Sequence, residues 1–181
     1  ITVGMVLGPQ LIGNQKIAGT YDFMWSLPVP RTAAAAGWFT VSAAIAIPGM
    51  IVAVLAAWWR FDLDLALSPT IVPAVLLVLL TGTIIGFAMA HAISNPMVTL
   101  LITQVLIFFI LGFSPISFPA EQLPNWLAAA HRVLPFAHMA NVVRDELADG
   151  LTTGVGMSYA VLSAWAAAAL LAATPSLGRR G

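Results

Sequence analysis

The chain has 181 residues, 60% of them hydrophobic and only 8% charged, with no formal net charge and a mean hydropathy of +0.96. Soluble domains carry about 25% charged residues, so a water-soluble fold is excluded, the neutral balance offers nothing to nucleic acid, and the absence of cysteine excludes disulfides and thiolate metal sites. What remains is an all-α, polytopic transmembrane helix bundle, a single membrane domain without a soluble part.

Residues 1–12 are apolar but shorter than the ~20 residues a bilayer core requires. They lack the basic start and small-residue cleavage site of a signal peptide, and read as the end of a span that begins upstream. Residues 13–31, GNQKIAGTYDFMWSLPVPR, follow. One reading makes them an interfacial segment, with Tyr21, Phe23, Met24 and Trp25 among lipid headgroups and Asp22 facing water. The other makes them a mechanical link, closed by prolines at its exit.

Residues 32–59 carry no charge and form the first complete span, ending at an aromatic and basic anchor, Trp58-Trp59-Arg60. Pro48-Gly49 near its middle predicts a kink. Residues 70–90 form the second span, in which Gly82, Gly86 and Ala90 recur every four positions and allow a close helix contact. A polar turn runs from His91 to Asn95-Pro96, and residues 97–113 form the third span. Its Gln104, Phe108 and Phe109 either pack the bundle or line a translocation path at a dimer interface. Residues 156–174 form the last span.

Between the third and last spans lies a break, residues 114–148, rich in proline and charge. Unpaired backbone groups in hydrocarbon cost several kcal/mol each, so this break must be shielded by protein or lie at the surface. Pro115 and Pro119 stop the third span. From Glu121 to Leu134 the spacing predicts a short helix with Leu123, Trp126, Leu127, Ala130 and Leu134 on one face. Pro135 ends it, and a second short helix carries Phe136, Met139, Ala140, Val143 and Leu147 on one side. The pair forms a re-entrant hairpin. Arg144 has acidic neighbours in Asp145 and Glu146, and a charge at this depth is expected to be paired or to snorkel.

Other polar groups point to no chemistry. Asp62 and Asp64 form a D-x-D pair without companions, a loop feature rather than a metal site. His91 is a turn histidine at the membrane edge. His131 and His138 lack the spacing of a zinc-binding helix. No phosphate-binding Gly-x-x-x-x-Gly-Lys-Ser/Thr loop occurs, and Lys16 is the single lysine. Any ATP-driven process would need an ATPase on another chain, or outside this segment.

Two patterns carry a resemblance. Around the break stand Phe118-Pro119, Leu123-Pro124, Trp126, Leu134-Pro135 and Arg144. Near the start stand Gly19-Thr20 and Leu27-Pro28-Val29-Pro30-Arg31. Together they resemble the membrane subunits of type-2 ATP-binding-cassette (ABC-2) exporters, although Asn14-Gln15-Lys16 keeps only one of the charges usual upstream of the glycine. The resemblance implies a coupling segment at Gly19, Thr20, Asp22, Trp25, Pro28, Pro30 and Arg31, set against a nucleotide-binding subunit. It implies an outer hairpin and gate at Pro119, Leu123, Pro124, Trp126, Pro135 and Arg144, placed before the last span in the outer leaflet. It further implies a dimer with itself or a sister permease, and ATP and Mg held by the partner ATPase, with no cofactor on this chain. The substrate would be hydrophobic or amphipathic (a drug, an antibiotic or a lipid), and the location a bacterial inner membrane.

Basic residues decide sidedness poorly: Lys16, Arg31, Arg179 and Arg180 oppose Arg60, Arg132 and Arg144. The resemblance places residues 13–31 and the C-terminus in the cytoplasm. Two rival functions have weaker support. An ion-coupled secondary transporter normally needs an intramembrane carboxylate, and no span contains one. A lipid-linked membrane enzyme needs a catalytic cluster at membrane depth.

Overall fold

The computed structural model describes residues 3–29, 31–62, 68–116, 123–147 and 154–178. Pro30, Asp64, Phe118, Pro119, Glu121, Arg179 and Arg180 lie outside the described residues, as do the side chains of Trp25 and Arg31. A π-helical turn, Val3–Leu7, runs into α1 (Gly8–Ile17), followed by α2 (Thr20–Ser26), α3 (Arg31–Phe61), α4 (Ile71–Ala92), α5 (Pro96–Phe113), α6 (Asn125–His131), α7 (Pro135–Leu147) and α8 (Val155–Gly178). There is no strand among the described residues. Four helices, α3, α4, α5 and α8, are long and apolar enough to cross a membrane. The all-α polytopic bundle expected from composition is what forms, with a helical hairpin, α6–α7, before the last span.

Local chemistry sets the boundaries. Asn95 accepts a hydrogen bond from Met97 N at 2.9 Å and Pro96 occupies the first turn of α5, so α4 stops and α5 starts within three residues. α3 continues helically through Pro48. The reversal after α1 requires Gly19, whose φ of 71° is unfavourable for any residue with a Cβ.

α4 is the hub. Half of its apolar stretch (50%) is buried, against 6% for α3, 17% for α5 and 22% for α8; α8 and α3 pack directly on it, while α5 packs against α1. The main core draws Met5 from the π-turn, Ala74 and Val78 from α4, Ile110 from α5, Phe136, Met139 and Val142 from α7 and Leu162 from α8. The hairpin helix α7 is therefore part of the core. Of the face expected for it, Phe136, Met139 and Ala140 are buried but Val143 and Leu147 only partly so, while Val142 and Glu146 are buried instead, because α7 is packed on more than one side.

The glycine stripe on α4 receives the backbone of the π-turn. A Cβ on Gly86 would lie 2.9 Å from Gly4 O and 3.1 Å from Met5 O, and a Cβ on Gly4 would lie 3.0 Å from Thr83 N. Without a strong hydrophobic force between helices in lipid, such close backbone approach is a main source of cohesion.

At the end of α4 away from this turn, Glu146 of α7 joins three elements. Its Oε2 accepts from Thr70 Oγ1 at 2.5 Å, its Oε1 accepts from Tyr159 Oη at 2.7 Å, and its backbone carbonyl accepts from Ser68 N at 3.2 Å. Thr70 and Tyr159 hold the carboxyl below glutamate's ordinary value, against a smaller opposing effect of burial. A depressed carboxylate stabilises the fold above its unfolded pKa and loses that contribution as the pH falls through its folded one.

Two predictions arise here. Gly86→Ala forces two backbones apart and should cost about 1–3 kcal/mol, seen as a lower melting temperature in detergent. Gly112→Ala, where a Cβ meets nothing within 4 Å, should melt like the parent. For Glu146, the melting temperature should drop as the pH falls below 4.5. Glu146→Gln should be less stable at neutral pH and lack most of that acid-dependent drop.

Candidate functional site

The two ends of α4 carry the residues singled out from sequence. At its C-terminal end, α1 and α2 form an elbow around Gly19. Lys16 reaches out of this elbow, and its Nζ donates to Ala90 O and Ile93 O, both at 2.8 Å. These are among the carbonyls left unpaired where a helix stops, at the negative end of the helix dipole, where a cation is favoured. The ammonium also lies 5.1 Å above the Tyr21 ring. Tyr21 packs with Trp38 of α3 against Ile12, Phe87 and Ala90, and its ring centroid is 6.2 Å from that of His91. His91 donates from Nδ1 to Phe87 O at 2.8 Å. Gly13 faces Leu100 at the start of α5. The elbow is thus fastened to α4 and touches α3 and α5.

Beyond Tyr21, α2 is nearly bare. Phe23 is 66% exposed, and Asp22, Met24, Leu27, Pro28 and Val29 are exposed too. Thr20 donates weakly to Gln15 O at 3.4 Å and Ser26 donates to Phe23 O at 2.7 Å, bonds that shape the turn and the helix end. Thr20, Asp22 and Pro28 therefore share one exposed segment that starts at Gly19.

At the opposite end, the hairpin is held by side chains that reach helix-terminal carbonyls. His131 of α6 donates from Nε2 to Phe113 O at 2.9 Å. Its Nδ1 is buried without a partner among the described residues. His138 of α7 donates from Nε2 to Arg132 O at 2.9 Å and accepts at Nδ1 from Ser158 of α8 at 3.0 Å. Trp165 of α8 donates to Val133 O at 2.7 Å. Arg144 donates to Pro115 O at 3.3 Å and Ile116 O at 2.7 Å, both just past the end of α5.

Several expectations change here. Arg144 does not turn to its acidic neighbours, because residues one or two apart on a helix face different ways; Glu146 is committed to Thr70 and Tyr159 instead. Leu123, Trp126 and Leu127 do not share a face. Leu127 is 2% exposed, Leu123 half-buried and Trp126 72% exposed, because the helix begins only at Asn125, after Pro124. Pro135 is buried at the start of α7. Phe108 and Phe109 do not act as a pair. Phe108 is 66% exposed, beside exposed Gln104 on the outer face of α5. Phe109 turns inward, stacked on His131 at 5.7 Å and edge-on to Phe136 at 6.2 Å.

Sequence reasoning passed over Lys16, His131, His138 and Glu146 as ligands of the fold. A usable signal existed for Lys16: a single lysine in an apolar segment needs a partner.

Asp62 has a positive φ of 50° at the end of α3. Among the described residues no group of three His, Cys, Asp or Glu could hold a metal ion.

A family model described as ABC-2 family transporter protein matches residues 1–174. No curated protein and no solved structure matches the chain. The match spans the elbow, the four apolar helices and the hairpin alike, and the chain belongs to the ABC-2 family of transporter membrane proteins.

Proposed function

We propose that this permease chain exports a hydrophobic or amphipathic substrate, such as a drug, an antibiotic or a lipid, driven by a separate ATPase subunit that carries the ATP and Mg. The bond pair from Lys16 to Ala90 O and Ile93 O is the observation that supports this reading best. A force applied to the exposed α2 reaches the Gly19 elbow, and Lys16 passes it to the end of the most buried span. α2 is then the surface that meets the ATPase, with Gly19, Thr20, Asp22 and Pro28 of the described side chains in the contact, and Trp25, Pro30 and Arg31 expected beside them. On this reading residues 13–31 face the cytoplasm of a bacterial cell and the hairpin faces outward. Arg144, Leu123, Pro124, Trp126 and Pro135, with Pro119, belong to the outer gate, whose clasps must loosen for release.

The outer face of α5 supports a dimer. It presents Leu101, Val105 and Phe108 with Gln104 between them. A glutamine amide facing hydrocarbon is costly, and interhelical hydrogen bonds to such groups contribute about 1–2 kcal/mol in model peptides. We assign this face to the contact with a second permease, with Gln104 and Phe108 along the path between them. Phe109 is packed beneath the gate.

In the transporter reconstituted with its ATPase, Lys16→Met should leave ATP hydrolysis running while substrate flux per ATP falls roughly tenfold, the scale of one lost charge-assisted bond. Lys16→Arg should restore part of it. Full flux in Lys16→Met would remove the coupling role. The chain has no cysteine, so Gln104→Cys provides a unique thiol; oxidation should yield a cross-linked dimer, whereas Val52→Cys, exposed on α3, should stay monomeric. Equal cross-linking at both positions would sink the interface.

A further inference from the structure

A cleft of about 440 Å³ lies beneath α7, between α3, α4 and the π-turn. Its volume falls within the ~300–1,000 Å³ usual for small-ligand sites, which are mostly apolar with a few placed polar groups. Here the walls include Ala46, Gly49 and Met50 of α3, Val78 of α4 and Val143 of α7, and among the described residues the one charged lining residue is Arg144. The outer wall is α3, the span with the least buried surface, so the cleft stands beside the lipid.

Arg144 gives the cleft a polarity. Its hydrogen bonds to Pro115 O and Ile116 O satisfy two of five N–H donors, but carbonyls do not neutralise a charge. Glu146 is turned away into its bonds with Thr70 and Tyr159. A cation at the rim of an apolar cleft is complementary to a molecule with an anionic head and a hydrocarbon body. The surrounding leaflet supplies such molecules at the open flank.

We infer that the cleft binds an anionic phospholipid of the bilayer, with its headgroup on Arg144 and one acyl chain between α3 and α7. The lipid would bridge α3, otherwise loosely attached, to the hairpin and α4. It would thereby couple the state of the hairpin to the lipid composition of that leaflet.

Full-length protein in neutral detergent tests this by thermal melting. It is titrated with phosphatidylglycerol and with phosphatidylcholine of identical chains. The melting temperature should rise with the anionic lipid and not with the zwitterionic one. Arg144→Gln should need about tenfold more phosphatidylglycerol for the same rise. Arg144 also supports the end of α5, so a second variant leaves that residue intact. A Cβ on Gly49 meets nothing within 4 Å, and Gly49→Leu should fill the cleft, fold normally and lose the response to phosphatidylglycerol.

An equal rise with both lipids would mean a general solvent effect and overturn the site. So would an unchanged response in Gly49→Leu. A rise with dodecanoate but none with phosphatidylglycerol would also overturn it, and would mark the cleft as one for a different amphiphile. None of these readings involves ATP or transport, so the lipid site and the exporter mechanism fail separately.

Discussion

Where a helix ends inside or beside a bilayer, its last carbonyls have no water to turn to. In this chain the scarce polar side chains go to those carbonyls. Lys16 reaches Ala90 and Ile93 at the end of α4, and His131 and Arg144 reach Phe113, Pro115 and Ile116 at the end of α5. His138 and Trp165 reach Arg132 and Val133 after α6, and Ser68 N reaches Glu146 O near the end of α7. Each bond spans elements, so the same contacts that satisfy the backbone also fix how the helices meet.

This economy shapes the mechanics. α4 is gripped at three levels: by Lys16 at one end, by the backbone of the π-turn at Gly82–Gly86, and by Glu146 at Thr70. The elbow at one end and the hairpin at the other are both tied to it, while α2, most of α3 and the outer face of α5 remain uncovered. That distribution gives this member of the ABC-2 family a well-packed centre with exposed helical surfaces around it.

Much of the fold was legible because it depends on chain-local physics. Uncharged runs of about 20 residues cross membranes whatever their neighbours do, so α3, α4, α5 and α8 could be read directly. Asn95-Pro96 and Pro135 marked breaks between helices through backbone restrictions that are likewise local, and each proline proves to be the first residue of the next helix. The spacing of Gly82, Gly86 and Ala90 announced a close crossing. It did not name the partner, because any backbone can fill a smooth groove. Within the hairpin, the face of α7 was readable from period only over its first half, Phe136 to Ala140. That of α6 was not, since its helix is only seven residues long, Asn125–His131, and begins two residues after Leu123.

Composition and apolar spacing alone dictated a membrane bundle, its four long helices and the interruption before the last of them. Tertiary structure alone decided the partners of the polar groups. Lys16 meets carbonyls more than 70 positions away, Glu146 meets a threonine 76 positions away, and Phe108 and Phe109 part company across the wall of one helix. The reason is physical. Hydrophobic burial is nearly indifferent to which apolar neighbour supplies it, so pattern suffices. A hydrogen bond needs one donor and one acceptor at about 2.9 Å in the right direction, and only the folded chain brings such pairs together.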